Sequence, residues 1–264
     1  LPALPRGDGV TDDGRHVAGG VPGDRVRDDG MIIPGPNRAE PPCRHFGKCG
    51  GCELQHVAEG ALADFVRDRV VGALAGQDVP VGTVLPALLS PPQSRRRAAL
   101  TALRNGKQVA IGFNAAQSNQ IVDMRQCPLL LPELFALIAP LRELLTEIAQ
   151  PRRPVKVKLQ MLDQGVEVIL EGVKAEGLDA AMALQDFAGT HKLARFAVDQ
   201  GYGLETLWQP EPPTVCFGDV TVEAPAFSFL QPTTMGQAAL VDAVTKAIGD
   251  AGAVADLFAG VGTF

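Results

Sequence analysis

The sequence predicts a multidomain chain of mixed class: a small N-terminal β module, a central α+β region and the opening of a Rossmann-like α/β domain. Three observations predict it. Residues 1–38 are rich in Gly, Pro and Asp with only short apolar stretches such as Met31-Ile32-Ile33, residues 81–224 are mostly strand-like runs broken by turn dipeptides, and residues 225–264 run helix, short apolar strand, glycine turn. A length of 264 residues accommodates two or three such units, with bounds expected at 1–38, 39–224 and 225–264.

Taken in order, residues 57–76 place Leu62, Phe65, Val66, Val70, Ala73 and Leu74 at spacings of three and four after Val57, which predicts an amphipathic helix ending near Gly76. Residues 97–103 and 108–113 flank Asn105-Gly106, a dipeptide that tolerates the positive φ angles of a type I′ hairpin turn. Residues 155–162 and 166–170 flank Asp163-Gln164-Gly165 in the same way. Helices are predicted at 131–149, 178–188 and 233–249. The last precedes Val254-Ala255-Asp256-Leu257-Phe258, read as a buried strand, and then the turn Gly260-Val261-Gly262.

Composition narrows the class. With 46% hydrophobic and 20% charged residues and a mean hydropathy of +0.09, global disorder is excluded. No apolar run approaches the roughly 20 residues of a membrane span. Twenty-four Lys and Arg against 30 Asp and Glu give a net charge of −6, which argues against a polyanionic partner. The charges are segregated, however: residues 91–122 carry Arg95, Arg96, Arg97, Arg104 and Lys107 with no acid, and a second acid-free run holds Arg152, Arg153, Lys156 and Lys158. Such runs serve as solvated faces or as phosphate-binding ones, so both readings stay open. The start shows no signal-peptide pattern, which predicts a cytoplasmic location. A chain that begins at Leu1 and stops just after a glycine turn is expected to be a fragment.

The cysteines carry the sharpest motif. Cys43, Cys49 and Cys52 form C-x5-C-x2-C, and Cys127 precedes Pro128. In a reducing compartment disulfides are disfavoured, so metal ligation is the better reading. Structural zinc prefers paired knuckles, whereas three bunched thiols and a remote Cys-Pro fit a [4Fe–4S] site. His45 and His56 keep a zinc site open, and Cys216, alone, reads as a core thiol. Two further motifs follow. Asp256-Leu257-Phe258-Ala259-Gly260-Val261-Gly262 lets the backbone approach a cofactor at a strand end, its short spacing favouring S-adenosylmethionine over a dinucleotide. Phe227-Ser228-Phe229-Leu230-Gln231-Pro232 leads into a helix and offers an aromatic ring and an amide, although a phenylalanine such as Phe229 is more often simply core.

In this order, the cysteine cluster with Gly50-Gly51, Gln126-Cys127-Pro128, Phe229-x-Gln231 and Asp256-Leu257-Phe258-x-Gly260-x-Gly262 resemble the iron–sulfur RNA (uracil-5-)-methyltransferases, closest to the branch acting on 23S ribosomal RNA. The resemblance covers essentially the whole chain. It implies that residues 7–35 form part of a TRAM-like RNA-binding barrel and that Cys43, Cys49, Cys52 and Cys127 ligate a [4Fe–4S] cluster. It further implies that Gln231, Phe258, Gly260, Gly262 and Thr263 belong to the S-adenosylmethionine pocket. Thr233 and Thr263 stand where some relatives have asparagine. The implied reaction is methylation of uridine C5, in which a cysteine thiolate adds to C6, C5 takes the methyl group and a base removes the C5 proton. The target base leaves its stack first, and Arg95, Arg96, Arg97 and Lys107 are the expected backbone contacts. In the family the nucleophile and base follow the glycine turn, so no catalytic residue is expected among residues 1–264, and the chain alone is expected to be an inactive monomer. The alternatives are a non-catalytic iron–sulfur or zinc RNA-binding module and a tRNA uracil-5 methyltransferase.

Overall fold

A computed structural model describes residues 8–174 and 177–264. The chain divides into two compact units, Leu1–Leu89 and Ser90–Phe264.

In the first unit, β1 (Gly9–Val10) pairs antiparallel with β2 (His16–Val17), and β3 (Arg25–Val26) with β4 (Ile32–Ile33). These are two separate two-stranded sheets; among the described residues they close no barrel. What holds them is polar. Asp24, 5% exposed, accepts from the Val21 N–H at 2.8 Å and the Gly35 N–H at 2.8 Å, and pairs with Arg38 at 2.5 Å. Burial opposes ionisation of Asp24, but the Arg38 hydrogen bond, the two amides and the Arg38 charge together hold its carboxyl below the usual range. Gly35 is required here, because a Cβ would lie 2.2 Å from the Gly23 carbonyl oxygen. The helix expected at 57–76 forms as α1 (Glu59–Ala75), but none of its side chains is buried.

The second unit is built on six strands. They are β5 (Arg97–Asn105), β6 (Gln108–Gly112), β7 (Pro154–Leu162), β8 (Gly165–Glu171), β9 (Arg195–Asp199) and β10 (Leu204–Trp208), in the order β10-β9-β8-β7-β5-β6. All neighbours are antiparallel except β8 and β9, which are parallel and joined through α4 (Leu178–Thr190). One face packs against α2 (Pro132–Ala136), α3 (Ile138–Ile148) and α4, with Leu100, Ile111, Leu134, Leu141, Leu145, Val157, Leu159, Val168 and Phe196 at the centre of a continuous apolar core. The helix expected at 131–149 is broken at Leu137. Pro140, in the first turn of α3, has no N–H to give and its ring crowds the carbonyl four residues back, so one continuous helix is excluded.

The first hairpin closes one residue later than expected. Asn105 pairs with Gln108, leaving Gly106-Lys107 as the loop, with positive φ at Gly106 (61°) and not at Lys107. Positive φ at the first loop position alone is the type II′ pattern, not type I′. Beyond the sheet, β11 (Thr214–Phe217) and β12 (Val220–Glu223) form a ribbon, and α5 (Thr234–Ile248) starts at Thr233 and stops at Gly249 (φ 54°). Residues 254–258 are not a strand. They pair with no other strand among the described residues, and without a ladder partner the apolar side chains lie in solvent, with Leu257 78% and Phe258 103% exposed.

Candidate nucleic-acid interface

The sheet face turned away from α2–α4 is polar, because strand alternation that buries Leu100, Val157 and Val168 on one side places Arg97, Lys156, Lys158, Gln160, Glu167 and Arg195 on the other. Cross-strand register aligns them. Arg97 stands opposite Gln160, Gln160 opposite Glu167 and Glu167 opposite Arg195.

The segment from Ala224 to Pro232 lies over this row and is held mainly through its own backbone. Arg195 donates to Glu167 at 2.5 Å, to the Ala224 carbonyl at 2.8 Å and to Gln209 at 2.8 Å. The second Glu167 oxygen accepts from the Phe227 N–H at 3.0 Å. Burial pushes the Glu167 carboxyl up, opposed by the Arg195 charge and the two hydrogen bonds. Arg97 donates to the Leu230 carbonyl at 3.0 Å and Arg96 to that of Gln231 at 2.9 Å.

The aromatic residues of this segment meet both basic runs. The Arg97 guanidinium lies 5.1 Å from the Phe227 ring centre and 4.9 Å from that of Phe229, while the Lys158 ammonium lies 5.2 Å from Phe227. Lys158 also pairs with Glu171. Phe229 is 66% exposed, so the core reading of this residue is overturned: its ring is offered to solvent with a cation against it. Exposed rings beside fixed cations are what unstacked bases and a phosphate backbone bind.

Of the expected RNA contacts, Arg95 and Arg97 are half-buried and Lys107 is exposed on the hairpin loop. Arg96 is 5% exposed and spends its donors internally, on the Gln231 carbonyl and on the Gln237 side chain at 2.6 Å. Sequence alternation carried this signal, since every second residue of the run must face the other way.

The residues expected around S-adenosylmethionine lie between the ribbon and the end of the chain. Gln231 is half-buried, Gly260 (φ 62°) and Gly262 (φ 78°) sit in exposed turns with Phe258 (φ 64°), and Thr263 is half-buried nearby. A groove of about 310 Å³ at the start of α5 is lined by Gln93, Arg96, Met161, Asp163, Val215 and Thr234, and includes none of them.

The cysteines belong to different stretches of the chain. Residues 40–55 form a turn-rich loop whose ends are pinned by the Ala39 N–H to the His56 carbonyl at 2.9 Å and the Ala58 N–H to the Asn37 carbonyl at 2.8 Å. Cys43, Cys49 and Cys52 are half-buried in it. Cys127, in the second unit, is half-buried at the lead-in to β5, where the Gln93 N–H donates to the Pro128 carbonyl at 2.8 Å. Among the described residues no group of three or more Cys, His, Asp or Glu is gathered as a metal requires. Cys216 is not a core thiol: on the ribbon Val215 points in and Cys216 out, where its Sγ meets Asp163 at 3.3 Å. No helix among the described residues is long and apolar enough to cross a membrane.

No protein-family model matches the sequence. The chain is 44% identical over 98% of its length to an uncharacterized RNA methyltransferase of Zymomonas mobilis, of which it covers 65%. It is 34% identical over 87% of its length to one of Rhizobium meliloti, covering 55% of that protein. A 23S rRNA uracil-C5-methyltransferase of Halomonas elongata is 33% identical over 65% of this chain and 41% of its own. In structure, the chain superimposes on the tRNA (uracil-54, C5)-methyltransferase of Pyrococcus abyssi, crystallised with S-adenosyl-L-homocysteine, with a TM-score of 0.67 and 20% identity over 97% of this chain and 67% of that one. The chain therefore spans about half to two thirds of the first curated relatives it matches, all of them named RNA methyltransferases, and shares its fold with a tRNA uracil-C5 methyltransferase.

Proposed function

We propose that this chain is the RNA-docking portion of an S-adenosylmethionine-dependent RNA uracil-C5 methyltransferase acting on 23S ribosomal RNA as a monomer in the cytoplasm. The observation that carries the reading is the convergence of both basic runs on Phe227 and Phe229, through Arg97 and Lys158, on one sheet face. The naming of the relatives supports methyl transfer to RNA, and the Halomonas elongata protein supports a ribosomal uridine.

In this reading Arg95, Arg97 and Lys107 take the RNA backbone, and Phe229 faces the unstacked bases. Gln231, Phe258, Gly260, Gly262 and Thr263 belong to the cofactor side. S-adenosylmethionine supplies the methyl group. The nucleophilic thiol and the proton-abstracting base lie outside residues 1–264, so the chain by itself binds RNA without methylating it. The [4Fe–4S] reading of Cys43, Cys49, Cys52 and Cys127 rests on their spacing and on the resemblance.

Two measurements test this. Purified chain is titrated with 23S-derived and tRNA-derived uridine-containing transcripts, and the full-length enzyme is assayed on both with labelled S-adenosylmethionine. Tight binding and methyl incorporation into the ribosomal transcript support the reading. Preference for tRNA reassigns the substrate, and binding without methylation by the full-length protein leaves a non-catalytic RNA-binding module. Anaerobic iron, sulfide and zinc analysis decides the cysteines: about four irons and four sulfides support the cluster, and zinc without sulfide removes it.

A further inference from the structure

Glu167 and Arg195 form a fully internal ion pair, 0% and 4% exposed, on the face opposite the apolar core. Beyond the pair, Arg195 also donates to the Gln209 side chain, and both residues reach the overlying segment. Arg195 reaches the Ala224 carbonyl at one end, and Glu167 reaches the Phe227 N–H three residues later. Between and beyond these anchors the chain does something costly: Phe227 has φ 49°, a left-handed conformation that a phenylalanine adopts only when its surroundings enforce it. That backbone turn brings the rings of Phe227 and Phe229 to the same guanidinium, Arg97. A buried pair of this kind is a weak source of stability, since its desolvation offsets much of its attraction. A role in fixing one conformation fits its placement better.

We propose that Glu167 and Arg195 are positioning residues: their ion pair holds Phe227 in its left-handed conformation and so presents Phe229, on the Arg97 cation, to RNA. The proposal rests on the RNA-docking reading for its last step only. The first step concerns the chain itself and has a readout that needs no RNA.

The test uses the whole chain and three variants. Arg195→Lys keeps a charge beside Glu167 but lacks the guanidinium fork that reaches Glu167, Gln209 and Ala224 together. Glu167→Gln keeps the volume and removes the charge. Leu141→Ala, in the apolar core on the far face, is the control for lost stability alone. Nuclear magnetic resonance reads the upfield ring-current shift of the Arg97 side chain, and fluorescence anisotropy reads affinity for a labelled single-stranded uridine-rich RNA.

The expected result is loss of the Arg97 shift and about a tenfold weaker RNA affinity in Arg195→Lys and Glu167→Gln. Leu141→Ala should melt lower yet keep both. An unchanged Arg97 shift in both folded pair variants overturns the proposal, as does an equal loss in Leu141→Ala. If Glu167→Gln fails to fold, Arg195→Lys alone decides. If the parent chain binds no RNA, the docking reading fails and with it the presentation of Phe229, while the Arg97 shift still judges the pair.

Discussion

Ser90 and Thr233, 143 positions apart, join their hydroxyls at 2.7 Å at the start of α5. The same Thr233 oxygen accepts the Gly236 N–H at 3.0 Å, so one side chain both caps the helix and ties it to the segment leading into β5. Thr233→Ala removes both bonds and should cost about 1 kcal/mol, read as a lower denaturation midpoint, whereas Thr233→Ser should be nearly neutral.

Arg96 and Arg97 are neighbours with different duties, and substitution should separate them. Arg96→Gln strips the donors from the Gln231 carbonyl and from Gln237 in a buried site, and should cost about 2–4 kcal/mol in a chemical melt. Lys107→Ala, on the exposed loop, should leave the melt unchanged. It should weaken RNA binding uniformly across sequences and reduce the salt dependence by about one ion.

Acid should loosen the first unit in two stages. The Asp24 carboxyl is held below its ordinary value of 3.8, so its contribution is present above that pH and is lost as pH falls through the still lower folded value. Burial, and then the Arg38 charge, hold the His56 imidazole below its ordinary 6.5, so protonation favours the unfolded form and stability falls as pH drops from about 6.5. Amide exchange of residues 8–38 followed from pH 7.5 down to about pH 2 should show both steps, and Asp24→Asn should abolish the lower one.

Gly35→Ala should be far more damaging than its single methyl suggests. The added Cβ would meet the Gly23 carbonyl oxygen at 2.2 Å and the Asp24 nitrogen at 2.8 Å, both backbone atoms that cannot swing away. A loss of more than about 3 kcal/mol is expected, with the Gly35 N–H to Asp24 bond broken. Gly30→Ala, whose Cβ meets nothing within 4 Å but sits at φ 82°, should cost about 1 kcal/mol.

Local signals were the readable ones. Asn105-Gly106 marked a hairpin, and Thr233 with Gly249 bracketed α5 to within a residue, because turns and caps are written by neighbours in sequence. Pro140 accounts for the break after α2, which the single helix expected at 131–149 does not contain. What depended on distant partners was not legible. Residues 254–258 have strand composition but pair with no strand among the described residues, and Cys216 has core chemistry on an outward-facing position of a ribbon. In the candidate interface, the basic runs and Phe229 were visible as types. Their meeting at Arg97 required the register that sets Arg97 opposite Gln160 and Ala99 opposite Lys158.

α5 has a cap at each end and no buried side chain along its 15 residues. Helices of that length are marginal when local bonds alone sustain them. Its amides should therefore exchange with solvent through small, frequent openings that leave the six-stranded sheet intact, while the amides of β7 and β8 wait for the whole unit to unfold. On that account the two halves of this unit keep different clocks: helix amides exchanged within minutes would coexist with strand amides still protonated after days.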